Sequence, residues 1–574
     1  MQRRWTLCEP EAEAVRTLSS ELDISSLTAR LLVNRGLQDP DKAHRFLHPR
    51  YEDLHDPYLM KDMDRAVPLL WQALQDKKRI VVHGDYDVDG ITSSLILKRG
   101  LEMLGGRVGI HIPGRLTDGY GIQTDFVERC HRDGVDLLVT SDCGIRAFEA
   151  CGRARELGLD VLICDHHLPS AELPPARAIL NPHRADCDYP ARNLSAAGVV
   201  FKLVQGLFET AGRTRVLPHF LKVVALGTAA DMVPLTGENR ILVKLGLEGL
   251  AQPHNVGLRA LLHGAGVSGE VEIEDVAFRI APRINAVTRM GGGPEVLDLF
   301  DTRDRSRAQA IVRDMNARNR ERRRQEEAIL AEIHEWEENR PELFRKAFIV
   351  LAGRNWHRGV IGIIASRVAR RFFRPTLVFS MGESDCQGSG RSIPGFHLLE
   401  ALEGCGDLLD RYGGHAQAVG CAMEGSDSLE DRLRTLSDRL DSHAQSVLST
   451  EDLTPVVPLD SYLSPGRLSL SLYREIQQLA PFGVGNPVPV FASRGLDVTG
   501  GPWVLKNRHL KVRLGANGAG VDAIWWKNGD AADTIPRGSK IDVAYTLNRN
   551  QYRGVESLLM TVQDLRTHPV STDS

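Results

Sequence analysis

The sequence predicts an α/β protein: two α/β domains joined by a long helix, with a small β-barrel after them. Three observations predict it. From 79 to 235, short β-branched apolar runs alternate with helical patterns, the punctuation of βαβ units and a parallel sheet. Residues 303–340 are strongly charged but carry one apolar stripe at helical spacing. From about 455 the pattern turns to short strands separated by Gly, Pro and Asn turns, through Arg566.

Taken in order, residues 1–75 read as short helices and loops, a leader to the first α/β domain. In 76–300, the runs Arg79–His83, Asp136–Thr140 and Asp160–Cys164 are continuously apolar, as strands buried on both faces should be. Ser93–Leu104 between them has helical spacing. In the connector, 301–341, Ala308, Ile311, Val312 and Met315, then Ile329, Ile333 and Trp336, recur at helical offsets, and Pro341 stops the pattern. Its first part, Arg303 to Arg324, holds nine arginines against three acidic residues, a local +6; Gln325 to Arg340 carries −5. The second α/β domain, 342–450, shows a strand at Phe348–Leu351, a helix at Val360–Arg371 and a strand at Thr376–Ser380. Two Gly-rich stretches come after it, Gly388-Ser-Gly-Arg-Ser392 and Gly413-Gly-His-Ala416. The barrel takes 455–566 and a loose tail 567–574.

The bulk numbers exclude several classes. With 574 residues, 42% hydrophobic and 25% charged, the chain has the composition of a globular protein with several cores. Disordered, collagenous and fibrous chains are ruled out. A net charge of −4 argues against indiscriminate coating of nucleic acid, but it averages over a large surface and cannot see a local basic channel. Nine scattered cysteines with no C-x-x-C pair indicate neither a zinc ribbon nor a disulfide framework. No export-signal pattern and no membrane-length apolar run are present, so a cytoplasmic protein without a membrane partner is expected.

The most informative stretch is His83-Gly-Asp-Tyr-Asp-Val-Asp-Gly90. Asp85, Asp87 and Asp89 come directly after a buried strand, where carboxylates so close together repel unless a cation neutralises them. An EF-hand fits poorly, because the Gly and the distal Glu are misplaced. The next strand ends at Ser141-Asp142 and the third at Asp165-His166-His167. A fourth carboxylate, Asp231, comes after the helical run Pro218–Ala230. Ligands of open α/β sheets gather at this edge. Mixed imidazole and carboxylate donors suit Mn2+ or Mg2+, and this many groups suit two ions, so the residues alone point to a two-metal phosphoester hydrolase.

In order and spacing, Gly84–Gly90, Thr140–Asp142, Asp165–His167 and Gly227–Asp231 resemble the four motifs of the DHH phosphoesterase superfamily. Trp356-His-Arg-Gly-Val-Ile-Gly362, Gly388–Ser392 and Gly413-Gly-His415 are similar to its associated DHHA1-like domain. Pro481-Phe-Gly-Val-Gly-Asn-Pro487 and the terminal OB-type barrel match one branch, the RecJ single-strand-specific exonucleases. The resemblance spans about residues 20–566. It implies 5′-to-3′ hydrolysis of single-stranded DNA to 5′-mononucleotides with two Mn2+ or Mg2+ ions, in DNA repair and recombination. The implied partners are single-stranded DNA, a single-stranded-DNA-binding protein and a helicase, acting on a monomer.

The resemblance also implies roles. Asp87 and, by analogy with pyrophosphatases of the superfamily, His83 would hold one ion. Asp89, His166 and Asp231 would hold the other, with Asp142 bridging. Asp85 and Asp165 would stand behind these ligands, and His167 would protonate a leaving oxygen. Ser389 and Arg391 would grip the terminal 5′-phosphate, with His357 and His415 beside them and the Gly-rich stretches letting backbone N–H groups approach it. Arg115 and Tyr120 would line the strand's entry, and Arg283 would contact phosphate. Arg318, Arg320, Arg322, Arg323 and Arg324 become candidate phosphate contacts. Trp503, Trp525, Trp526 and Tyr552 serve either as barrel core or as platforms on which bases stack. Two alternatives compete: a phosphodiesterase for short oligonucleotides or cyclic dinucleotides, and a non-catalytic, Cdc45-like DNA-binding scaffold. The length and barrel disfavour the first, the intact motifs the second.

Overall fold

In the computed structural model, described for residues 3–114, 121–290, 292–425, 429–516 and 519–568, the chain divides into two compact units. One comprises 5–285, 293–312 and 457–574; the other comprises 1–4, 286–292 and 313–456.

The first unit is organised by a five-stranded sheet in the spatial order Arg107–His111, Arg79–Gly84, Leu137–Ser141, Asp160–Cys164, Ala178–Leu180. Every pairing is parallel. The apolar runs become strands because both faces are covered. Ile80, Val82, Leu137, Val139 and Leu162 pack with the helices Met63–Gln75 and Ala196–Thr210 on one side. Leu138, Val161 and Ile163 pack with Thr124–Arg132 and Phe148–Glu156 on the other. The strand order reverses between Arg79–Gly84 and Leu137–Ser141, and at such a switch point the loops diverge and leave a crevice.

The same unit holds the barrel. Phe491–Leu505, His509–Ala516, Ala519–Trp525, Val555–Thr567 and Lys540–Tyr552 pair in sequence, and the last closes on the first. Closure removes the sheet edges. The leader helices Ala12–Glu21, Ser26–Asn34 and Pro40–Leu47 share one hydrophobic core with this barrel, which includes Leu31, Leu32, Phe491 and Tyr545. Arg240 ties the two together: its guanidinium donates to the carbonyls of Phe46 and Ala480 and lies 3.6 Å from the Phe46 ring centroid. That the first three leader helices share the barrel's core while the helix Met63–Gln75 covers the neighbouring sheet is not visible in sequence order.

The connector is one helix, Arg305–Asn339, about 52 Å long at 1.5 Å per residue. In the second unit its Ile329 and Ile333 pack against the helix Ile361–Phe372 and a five-stranded sheet. That sheet runs Arg411–Gly414, Ala418–Glu424, Asp385–Arg391, Thr376–Met381, Ile349–Arg354, and only the last pair is parallel. Its other face packs on the helix Leu429–Val447 through Leu433, Leu436 and Leu440.

The expectation that the glycines of Gly388–Ser392 let backbone N–H groups approach a phosphate is corrected here. Residues 388–391 are inside a strand paired on both sides, so the sheet uses their backbone groups. Glycine is there for packing. A Cβ on Gly388 would sit 2.6 Å from Phe379 Cε1 and Cys421 Sγ, and one on Gly390 2.7 Å from Val419.

Candidate metal centre

The acidic motif forms because Gly84 and Gly90 let a strand and a helix meet at very close range. A Cβ on Gly90 would lie 2.4 Å from the Asp85 carbonyl oxygen, and one on Gly84 2.7 Å from the Gly90 carbonyl. Asp87 then caps the helix Val88–Met103, its Oδ1 accepting from the N–H groups of Asp89 at 2.9 Å and Gly90 at 3.1 Å. Asp89 points inward. Its two carboxylate oxygens accept from the N–H groups of Ala196 at 2.7 Å and Ala197 at 2.9 Å, the first turn of the helix Ala196–Thr210.

Asp142 sits just past the neighbouring strand with φ of +66°, a strained left-handed conformation for a residue with a side chain. Asp165 is saturated. Oδ1 accepts from the His166 N–H, the His167 N–H and His167 Nδ1, at 2.7, 3.1 and 2.8 Å, while Oδ2 accepts from the Ile145 N–H at 3.0 Å. Asp231 is the last residue of the helix Leu221–Asp231, not a residue beyond it, and Met232 ends the helix at φ of +61°.

Three sets of ligand atoms therefore converge, each within 4.8 Å: Asp89, His166 and Asp231; Asp142, His166 and His167; and Asp85, Asp87 and Asp142. His166 Nε2 lies 3.2 Å from Asp142 Oδ1 and 3.6 Å from Asp231 Oδ2. Asp85, expected from sequence to be a supporting group, sits among the converging carboxylates. Among the described residues His83 does not join these sets; it is buried, its Nδ1 is 3.1 Å from His111 Nδ1, and it stacks on His111 and packs beside Phe126.

The electrostatics call for a cation. Burial, reinforced by repulsion from Asp231 and Asp87, holds Asp89 well above the ordinary carboxylate range. Burial and the charges of Asp87, Asp89, Asp85 and Asp231 do the same to Asp142, and burial with Asp87 raises Asp231. Among the described residues, Asp142 Oδ1 and His166 Nε2 are buried without a hydrogen-bond partner although they face each other. A divalent cation satisfies both atoms and offsets the repulsion, and the oxygen and imidazole donors suit Mn2+ or Mg2+.

Asp165 and His167 behave oppositely. Burial disfavours charge on both, yet their hydrogen bond and mutual attraction win. Asp165 is drawn down to about 2 and His167 pushed up to about 9. Burial lowers His166, which favours the neutral imidazole that can ligate.

In the second unit, strand alternation puts Ser389 and Arg391 on one face, beside the first turn of the helix Ile361–Phe372. A Cβ on Gly362 would lie 3.0 Å from Ser389 Oγ and 3.5 Å from Arg391 Nη2. His357 is half-buried, its Nδ1 accepting from the Gly359 N–H, and His415 is exposed. In the first unit, Arg283 donates to the Arg279 carbonyl from the helix Ala281–Arg289. Arg115 and Tyr120 lie outside the described residues.

The connector arginines divide. Arg322 is turned in against the buried Glu326, and Arg318 pairs with Asp314 at 2.8 Å and Arg324 with Glu321 at 2.7 Å. Arg320 and Arg323 are exposed. On the barrel, Trp503, Trp526 and Tyr552 are exposed and Trp525 packs against the core.

Family models match over three segments: the DHH family, N-terminal domain, at 79–228; the DHHA1 domain at 345–442; and the RecJ OB domain at 459–564. A single-stranded-DNA-specific exonuclease RecJ from Thermus thermophilus is 36% identical, over 98% of this chain and 78% of that protein. One from Escherichia coli is 31% identical over 98% of this chain and 100% of that protein. The chain belongs to the RecJ family. Crystal structures of Thermus thermophilus RecJ cover 98% of this RecJ-family chain. The complex with Mn2+ superposes at a TM-score of 0.84 with 33% identity, covering 79% of that chain. The complex with Mg2+ gives 0.77 with 32% identity, covering 78%.

Sequence reasoning missed the cradle this RecJ-family chain builds for Asp89. Its signal was present: Ser195 heads a helix, and Ser at a helix N-cap announces a first turn of unpaired N–H groups. It also missed Asn181, whose Nδ2 donates to the His167 carbonyl at 2.8 Å.

Proposed function

We propose that this chain is a metal-dependent exonuclease on single-stranded DNA. The observation that carries the reading is the convergence of Asp85, Asp87, Asp89, Asp142, His166 and Asp231 on one crevice, in a family whose curated members bear that activity in their names. Asp89, His166 and Asp231 would hold one Mn2+ or Mg2+, and Asp85 and Asp87 the other, with Asp142 shared. His83 turns toward His111, which favours Asp85 over His83 as the partner of Asp87. When bound, the ions supply an acidified water and charge compensation at the scissile phosphate.

The chain's own residues do the rest. His167, kept protonated by Asp165, offers a proton to the leaving 3′-oxygen. Ser389 and Arg391, beside a helix N-terminus, grip a terminal 5′-phosphate, which sets 5′-to-3′ polarity and stepwise release of 5′-mononucleotides. On this reading 76–300 performs the chemistry, 342–450 holds the strand's end and 455–566 extends the track. Exposed Trp503, Trp526 and Tyr552 support a polymer rather than a dinucleotide as substrate, because stacking platforms bind bases without reading sequence. A helicase would generate such a substrate and a single-stranded-DNA-binding protein would present it, in repair and recombination. Among the described residues no helix is long and apolar enough to cross a membrane. All nine cysteines are free, which supports a reducing, cytoplasmic setting.

The test is a time course on 5′-phosphorylated single and double strands, blocked at one end or the other, with each metal. Mononucleotides released from the 5′ end of single strands alone are expected. Equal degradation of duplex, or no release with either metal, overturns the reading.

A further inference from the structure

We infer that Ser195 and Thr228 form a positioning clamp that sets the spacing of Asp89 and Asp231 across the metal they would share. The inference rests on the functional reading above. Ser195 Oγ and Thr228 Oγ1 share a hydrogen bond of 2.9 Å, and both residues are wholly buried. Ser195 caps the helix Ala196–Thr210, its Oγ accepting from the Gly198 N–H at 3.2 Å. The first two N–H groups of that helix hold both oxygens of Asp89. Thr228 stands on the helix Leu221–Asp231 three residues before Asp231, on the same face one turn earlier. A continuous path of hydrogen bonds and helix backbone thus joins the two carboxylates without passing through the ion.

There is a physical need for it. Asp89, near the start of the helix Val88–Met103, and Asp231, at the end of the helix Leu221–Asp231, converge on one point, so without the cation only the protein holds their spacing. The helices are already in contact: a Cβ on Gly227 would lie 2.5 Å from Asp89 Oδ1 and 2.8 Å from the Ala197 Cβ. The clamp crosses this seam at the point where small residues let the backbones approach. Groups that orient metal ligands from behind typically change metal affinity by about 10–100-fold when removed.

The experiment titrates Mn2+ into DNA-free protein, following free Mn2+ by electron paramagnetic resonance. It compares the parent with Thr228→Val, which keeps shape and loses the hydroxyl, and Thr228→Ser, which restores it. Ser195→Ala is the second variant. Thr228→Val is expected to weaken one of two Mn2+ sites about tenfold, and Thr228→Ser to recover it to within about twofold. In turnover assays the Mn2+ concentration for half-maximal rate should rise while KM for single-stranded DNA stays unchanged. If Thr228→Val and Ser195→Ala melt lower yet bind Mn2+ like the parent, the hydroxyl pair serves packing alone and the clamp is overturned. If the parent itself binds no Mn2+, the reading of the site fails and the clamp with it.

Discussion

His167 Nδ1 lies 2.8 Å from Asp165 Oδ1, and this bond draws the two groups' titrations to opposite ends of the pH scale. Asp165, lowered to about 2, contributes stability that is present above its ordinary pKa near 4 and lost as pH falls toward 2. His167, raised to about 9, contributes stability that is present below about 6.5 and lost as pH rises through 9. The pair is therefore at full strength from about pH 4 to 6.5. In metal-free protein, Asp165→Asn should lower Tm most in that window and least above pH 9, and the His167 titration should fall back toward 6.5 by NMR. A Tm difference constant from pH 3 to 10 contradicts the pairing.

Asp142→Asn separates charge from shape. Asn tolerates the left-handed backbone that Asp142 adopts at φ of +66°, so the change removes repulsion without adding strain. The metal-free variant should melt higher than the parent, because Asp142 is crowded by four other carboxylates. It should also lose most of the stabilisation that Mn2+ gives the parent, about 2.7 kcal/mol at a hundredfold excess over Kd. Mononucleotide release should fall at least about a hundredfold while single-stranded DNA still binds. Full activity would remove Asp142 from the site.

Away from the crevice, Asp62 accepts from Arg184 Nη1 at 2.7 Å and from the Ile179 N–H at 3.1 Å, tying the edge strand Ala178–Leu180 to the turn before a helix. Burial opposes its charge, but the bond to Arg184 prevails and holds Asp62 below the ordinary range. A depressed carboxylate stabilises above its unfolded pKa, so Asp62→Asn should cost about 3 kcal/mol at pH 7. That cost should begin to shrink as pH falls below about 4, where Asp62 of the unfolded chain takes up a proton before the folded one does. Urea midpoints at pH 7 and pH 3.5 would measure it.

Along the connector, exposure separates binding from folding. Reversing Arg320 and Arg323 to Glu should weaken single-strand binding and reduce the slope of log K against log salt by about 0.7 for each phosphate no longer neutralised, with Tm unchanged. Reversing Arg322, which faces the buried Glu326, should lower Tm instead. An unchanged salt slope in the double variant takes this helix out of the DNA path.

The barrel gives a parallel contrast. Trp526→Ala or Tyr552→Ala should cost about 1–3 kcal/mol of single-strand affinity and little stability, because both rings are exposed. Trp525→Ala, next in sequence to Trp526 but packed on the core, should cost stability.

Much of the fold is legible in the order of the amino acids. Strands covered on both faces leave continuous apolar runs, so the sequence marks Arg79–Gly84, Leu137–Ser141 and Asp160–Cys164 nearly to the residue. The connector helix is equally plain, because a 35-residue helix repeats its apolar stripe many times. Gly388 and Gly390 mislead, because a glycine required by the neighbouring Phe379 and Val419 looks in sequence like one required by a phosphate. The core of the leader's first three helices is invisible for a different reason: Leu31 shares it with Tyr545, more than 500 residues away, and no local pattern encodes that association.

The sequence by itself determined which chemistry is available. Aspartates and histidines placed just after parallel strands must gather at one sheet edge, because parallel strands all end on the same side. Tertiary structure alone decided how each group is used. It brought Asp85 among the carboxylates, turned His83 to His111, saturated Asp165 and set the helix of Ala196 behind Asp89. Orientation and hydrogen-bond occupancy depend on neighbours that arrive from other parts of the chain, and those are fixed only when the core closes.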